Sequence, residues 1–92
     1  MVEQLFTITD KLGIHARPAG SLVKVANQFQ SDTKLAFNEK TVNLRSIIQL
    51  MSLGVKQGDH VKIIAEGTDE NELMEEVKTV LQSEGLANLY EK

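Results

Sequence analysis

The chain has 92 residues, 13 acidic against 10 basic, a formal net charge of −3 and no cysteine. That length supports one domain over residues 1–92, large enough to bury roughly 60 to 70% of the unfolded surface in a core. Disulfides, thiolate metal sites and cysteine catalysis are excluded, and the acidic balance disfavours nonspecific binding to nucleic acid. No stretch approaches the roughly 20 apolar residues of a membrane span, and the start lacks a signal-peptide pattern, so the chain reads as cytoplasmic.

Residues 2–9 alternate imperfectly, with Phe6 and Ile8 on one face and Glu3, Leu5 and Thr7 on the other, and read as a first strand. Ala16, Ala19, Leu22, Val23, Ala26 and Phe29 then recur at helical spacing. Pro18 falls in the first turn, where its missing N–H does no harm, and a helix is expected over about residues 16–27. Residues 33–37 and 40–43 read as short strands joined at Asn38-Glu39. A looser turn is expected there, because glutamate is a poor second residue in a tight primed hairpin.

Ser46 and Gln49 have the spacing of a capping box and open a helix of about two turns that stops at Gly54. In residues 60–66, Val61, Ile63 and Ala65 alternate with Lys62, Ile64 and Glu66, which gives a fourth strand. Asp69 with Glu72 marks a second box-like start, and Leu73, Met74, Val77, Val80 and Leu81 trace the apolar stripe of a last helix ending before Gly85. Residues 86–92 carry no strong pattern and read as a loosely held tail. The order β-α-β-β-α-β-α points to an α+β fold with a mostly antiparallel sheet covered on one side by helices.

The segment Gly13-Ile14-His15-Ala16-Arg17-Pro18-Ala19 concentrates the chemistry. His15 stands just before a helix whose free N–H groups and dipole favour an anion. A neutral imidazole keeps a lone pair for attack on phosphorus, and Arg17 adds a fixed positive charge with a fork of donors suited to phosphate oxygens. A positive charge in the first turn conflicts mildly with the dipole, which favours a functional reason for Arg17. Lys11, Arg17, Lys24 and Arg45 are expected to form a basic rim around this site, with the acids of residues 66–91 lying elsewhere. Gly20, inside the helix, costs about 1 kcal/mol relative to alanine and leaves room for a close approach.

Read by itself, Ser46 is a helix cap; a phosphate there is also tolerated electrostatically. Ile47, Ile48 and Met51 give the short helix more apolar residues than one buried face needs, which suggests an exposed patch for partners. His60 has no partner at ligand spacing and reads as a surface residue, and there is no metal motif, Walker glycine loop or serine triad.

At this point the sequence resembles the HPr family, the histidine-containing phosphocarriers of the bacterial phosphoenolpyruvate-dependent sugar phosphotransferase system. The heptapeptide around His15 and Val42-Asn43-Leu44-Arg45-Ser46-Ile47-Ile48, continuing into Leu50-Met51-Ser52-Leu53-Gly54, carry the match, which extends over nearly the whole chain. The resemblance implies an open-faced β-sandwich of four antiparallel strands and three helices, acting as a monomeric carrier without a cofactor. It implies that His15 takes a phosphoryl group on Nδ1 from enzyme I and passes it to IIA components of sugar permeases, helped by Arg17 and the Ala16 end of the helix.

The resemblance also implies that Ser46 is phosphorylated by an ATP-dependent HPr kinase/phosphorylase, promoting binding to a catabolite-control transcription factor. Gly20, Lys24, Ile47, Ile48 and Met51 fall on the implied partner face. Leu12, Gly20, Glu39 and Gln49 depart from common family residues at their positions: a small polar residue, threonine, glycine and glycine respectively. A regulator-only relative working through Ser46 is disfavoured by the presence of His15. An RNA-binding ferredoxin-like module fits the element order but not the acidic charge or the lack of an aromatic and basic strand motif.

Overall fold

The computed structural model describes residues 1–90. Along the chain come β1 (Val2–Ile8), α1 (Ala16–Ala26), β2 (Asp32–Phe37), β3 (Lys40–Asn43), α2 (Ile47–Met51), β4 (His60–Glu66), α3 (Glu70–Ser83) and β5 (Ala87–Leu89). The strands form one sheet in the order β3-β2-β4-β1-β5, with every neighbouring pair antiparallel. Phe6 pairs with Val61, Leu35 with Ile63 and Thr33 with Ala65, so these residues project to one face. All are buried beneath the helices, together with Leu22, Leu50, Leu73 and Val77. Period-2 alternation in the strands and the 3.6-residue stripes of α1 and α3 bury their apolar sides in a common core. The result is the expected α+β open-faced sandwich, with a fifth strand added.

That strand corrects the reading of residues 86–92 as a loose tail. Gly85 takes φ 69°, a left-handed conformation that costs glycine little, and ends α3. The Gly85 N–H donates to the Gln82 carbonyl at 3.2 Å and the Leu86 N–H to the Leu81 carbonyl at 2.9 Å, the paired bonds of a Schellman ending. The chain then runs back along β1, where Ala87 pairs with Ile8 and Leu89 with Phe6, and Leu86 and Ala87 are fully buried. Three residues are too few to show alternation, and the partner that holds them lies far back in the chain. Glu91 and Lys92 lie outside the described residues.

Two local expectations also change. Phe37 pairs directly with Lys40, so Asn38-Glu39 forms a tight two-residue connection rather than a loose one. Only Asn38 has a positive φ, 56°, which asparagine tolerates, and Glu39 needs none. At the start of α3 the Asp69-Glu72 box is not made. The Asp69 carboxylate instead accepts from the N–H groups of Gln30 and Ser31, both at 2.9 Å, and from the Ser31 hydroxyl. These bonds hold its pKa below the ordinary value, the Ser31 hydroxyl contributing most and the Gln30 N–H next. The residue read as a local cap is therefore a tertiary tie between α3 and the loop after α1.

Candidate functional site

The β1–α1 loop is shaped to deliver His15 to the start of α1. The Asp10 carbonyl accepts from the Gly13 N–H at 3.0 Å, and its Oδ1 accepts from the Leu12 N–H at 2.9 Å, so Asp10 organises the turn from both its backbone and its side chain. Gly13 has φ 67°, and a Cβ built there would collide with the Val55 carbonyl oxygen. Glycine is thus required twice over, for its backbone angle and for the close approach.

His15 is the N-cap residue of α1, extended at φ −115° and ψ 179°, and its side chain does not cap the helix. Its carbonyl accepts from the Ala19 N–H at 3.0 Å. Pro18 has no N–H, so the helix opens with the donors of Ala16 and Arg17 directed at its free end. The imidazole turns toward Asp10, whose Oδ2 lies 2.9 Å from Nε2. Asp10 is held below the ordinary carboxylate pKa, first by the Leu12 N–H and then by the His15 side chain. Asp10, His15, Arg17, Pro18, Ser83 and Glu84 line a cavity of about 210 Å³. His15 keeps 31% of its side-chain surface exposed, so a second protein can reach the ring.

Along α1, Arg17, Gly20 and Lys24 follow at intervals of three and four residues and share one face. Arg17 and Lys24 are exposed, and a Cβ at Gly20 would meet nothing within 4 Å. α2 packs against α1. Its N-cap, Ser46, accepts from the Gln49 N–H at 3.2 Å, the forward bond of the expected capping box. The return bond is redirected: Gln49 Oε1 accepts from the Asn43 N–H at 3.1 Å, while the Ser46 N–H donates to the Asn43 carbonyl. Leu50 points into the core, whereas Ile47, Ile48 and Met51 are exposed, Ile48 by 82%. The apolar excess of this helix therefore lies on the surface, and Leu12, 73% exposed, adds another apolar side chain on the loop before His15.

The expected basic rim is only partly formed. Arg45 donates to the carbonyls of Phe29 at 2.8 Å and Ser31 at 3.2 Å, fastening the chain after α1 instead of facing His15. Nor are the acids of residues 66–91 all kept away, because Glu84 lines the His15 cavity; Asp10, outside that stretch, touches the ring. Sequence reasoning missed both residues. Asp10 carries a local signal, an Asx-type turn before a glycine, but its bond to His15 depends on the folded loop. Glu84 is carried to the site by the end of α3, which no local pattern reveals. His60 is exposed, as expected; it is linked to Thr7 Oγ1 at 3.0 Å and stacked on Tyr90 at 4.0 Å between ring centres. A larger cleft of about 520 Å³ at the β2–β3 hairpin, lined by Phe37, Asn38, Glu39, Lys40 and Leu53, holds no comparable pairing of reactive groups.

The family model described as the PTS HPr component phosphorylation site matches residues 2–83. The chain belongs to the HPr family. Among solved structures, the Mycoplasma histidine-containing phosphocarrier protein is 36% identical with a TM-score of 0.90, the match covering 92% of this chain and 97% of that one. HPr from Thermoanaerobacter tengcongensis is 41% identical with a TM-score of 0.85, over 92% and 96% of the two chains. Crh, the catabolite repression HPr of Bacillus subtilis, is 46% identical with a TM-score of 0.71, over 78% and 83%, and its structure is a domain-swapped dimer. Membership gives the chain a phosphocarrier role in the phosphotransferase system. Among the described residues no helix is long and apolar enough to cross a membrane.

Proposed function

We propose that this chain is a covalent relay rather than an enzyme, taking a phosphoryl group from enzyme I on Nδ1 of His15 and passing it to IIA components of sugar permeases in the cytoplasm. The observation that carries this reading is the half-exposed His15 ring at the free end of α1, with Arg17 on the same small cavity. A phosphoryl group on the ring meets the Ala16 and Arg17 N–H donors, the positive end of the helix dipole and the Arg17 guanidinium. These groups act by position and charge, the main tools of phosphoryl transfer. The cradle is open to water and its arginine is exposed, so it holds the group without burying it, as a carrier that must release its cargo requires.

Ser46 is the regulatory position in this proposal, phosphorylated by HPr kinase/phosphorylase and then read by a catabolite-control transcription factor. The 46% identity to Crh, a catabolite repression protein, supports that second role. The exposed Ile47, Ile48 and Met51, beside a helix face bearing Gly20 and Lys24, form the partner surface. The chain acts as one monomeric domain, and β5 supports this by pairing with Phe6, Thr7 and Ile8, which takes that stretch of the outer edge of β1 away from pairing with another chain, while β5 itself is a short edge of three residues.

The test is to supply enzyme I and phosphoenolpyruvate and measure acid-labile phosphate on the protein. Incorporation that His15→Ala abolishes, in a variant that remains folded, is expected; no incorporation from a competent enzyme I overturns the relay. ATP and the serine kinase should add an acid-stable phosphate that survives His15→Ala and is lost in Ser46→Ala.

A further inference from the structure

We infer that Asp10 is a positioning residue that holds His15 with hydrogen on Nε2 and thereby leaves the lone pair on Nδ1, the nitrogen that receives the phosphoryl group. This inference rests on the carrier reading of His15. Asp10 Oδ2 lies 2.9 Å from Nε2. The carboxylate is itself fixed, because its Oδ1 accepts from the Leu12 N–H at 2.9 Å and its backbone carbonyl accepts from the Gly13 N–H at 3.0 Å. An ionised carboxylate can only accept hydrogen bonds, so the hydrogen shared with the ring must be on Nε2. The Leu12 N–H and the His15 side chain both lower the Asp10 pKa and keep it ionised at neutral pH. A neutral imidazole carries one N–H, and with that hydrogen on Nε2 the nucleophile is Nδ1.

The other charged groups on the cavity are Arg17, from the first turn of α1, and Glu84, from the end of α3. Neither has a hydrogen bond to the ring in the structure, which sets Asp10 apart as the group that orients it. In the transfer step the Nδ1 lone pair forms a bond to phosphorus as the bond from phosphorus to the donor's nitrogen breaks, and that electron pair leaves with the donor. Nε2 keeps its hydrogen throughout. The phosphorylated ring is then a cation whose N–H still faces Asp10, and a cationic imidazole is the better leaving group when the phosphoryl moves on to an acceptor. Asp10 would thus set the site of attachment and favour the transferable form of the adduct, without touching the phosphoryl group.

The test compares wild type, Asp10→Ala and Asp10→Asn, each with nitrogen-15 in its histidines. Asp10→Ala removes the acceptor, while Asp10→Asn retains an oxygen for the Leu12 N–H and can turn an NH2 group toward the ring. At a pH where the ring is neutral, the wild-type spectrum should show the hydrogen on Nε2, and both variants should show a shift toward the Nδ1-protonated form. Phosphoramidate, a chemical donor that needs no enzyme, should phosphorylate Nδ1 over Nε2 by about tenfold more in wild type than in either variant, the scale of one charge-assisted hydrogen bond. A wild-type ring protonated on Nδ1, or the same attachment ratio in all three folded proteins, overturns the inference. If Asp10→Ala does not fold, Asp10→Asn and the wild-type spectrum still decide it. Neither readout uses enzyme I, so a failure of enzyme I to phosphorylate His15 would count against the carrier reading alone.

Discussion

α1 and α2 begin in opposite ways. Ser46 closes the end of α2 with its own hydroxyl, bonded to the Gln49 N–H, and Gln49 ties that end back to Asn43. His15 occupies the same N-cap position on α1 but gives its side chain to Asp10, leaving the first turn without a side-chain cap. A satisfied helix end contributes stability, whereas an open one offers donors to an incoming anion. The chain therefore keeps one start closed and the other available. The cost of the open start is met by the loop before it, through the Asp10 turn and the fit of Gly13 against Val55.

The strongest way to break this contrast is Gly13→Ala. A left-handed backbone angle and a collision with the Val55 carbonyl together should cost more than about 2 kcal/mol, measured by denaturant unfolding. His15 should also lose reactivity in the molecules that remain folded, because the loop that delivers it has shifted. An alanine variant as stable as the wild type would show that the loop does not depend on this close approach. Ser46→Ala should cost about 1 kcal/mol, the usual value of a hydroxyl N-cap, while leaving the rate of His15 phosphorylation unchanged. A loss of phosphorylation comparable to the loss of stability would mean that the two helix starts are coupled and not separate devices.

Much of this contrast was legible in the sequence, for physical reasons. Pro18 and the apolar spacing marked the start of α1, and Ser46 with Gln49 marked that of α2, because caps and helical stripes are written within a few residues. The exposure of Ile47, Ile48 and Met51 followed from an apolar excess on a helix too short to bury it. What could not be read were the long-range assignments. Arg45 looked like part of an anion site but serves carbonyls after α1, Asp69 looked like a cap but binds Ser31, and Leu86 looked like tail but is core. In each case the side chain's chemistry was plain, and its partner was chosen by the fold. The acids around His15 belong to the same class, since Glu84 is brought there by the end of α3.

Gly20→Ala sharpens the comparison from the opposite direction. There is open space at Gly20, so an added methyl meets no neighbour, and the loss of glycine's backbone freedom should raise stability by about 0.5 to 1 kcal/mol. Thermal unfolding measures the gain. If partner docking needs the bare backbone here, transfer from enzyme I should slow while phosphoramidate labelling stays the same. Equal enzyme I rates in both proteins would remove Gly20 from the partner surface and leave it a tolerated weak point in α1.

The smallest effect separates the two starts by acid. The folded pKa of Asp10 lies below its ordinary value of 3.8, so the Asp10 carboxylate contributes stability that is fully present above the ordinary carboxylate range and is lost as pH falls through the depressed folded value. The Ser46 hydroxyl does not titrate there. A global acid melt cannot isolate this, because Asp69 and Glu70 are also depressed and would unload together with Asp10. The backbone amides can. The Leu12 N–H, bonded to Asp10 Oδ1, should shift with a midpoint below that of an ordinary aspartate, while the Gln49 N–H, bonded to Ser46, should stay flat over the same range. A Leu12 midpoint at or above the ordinary value would mean that the carboxylate is not held by the loop, and the open start of α1 would then lack the support that makes it different from α2.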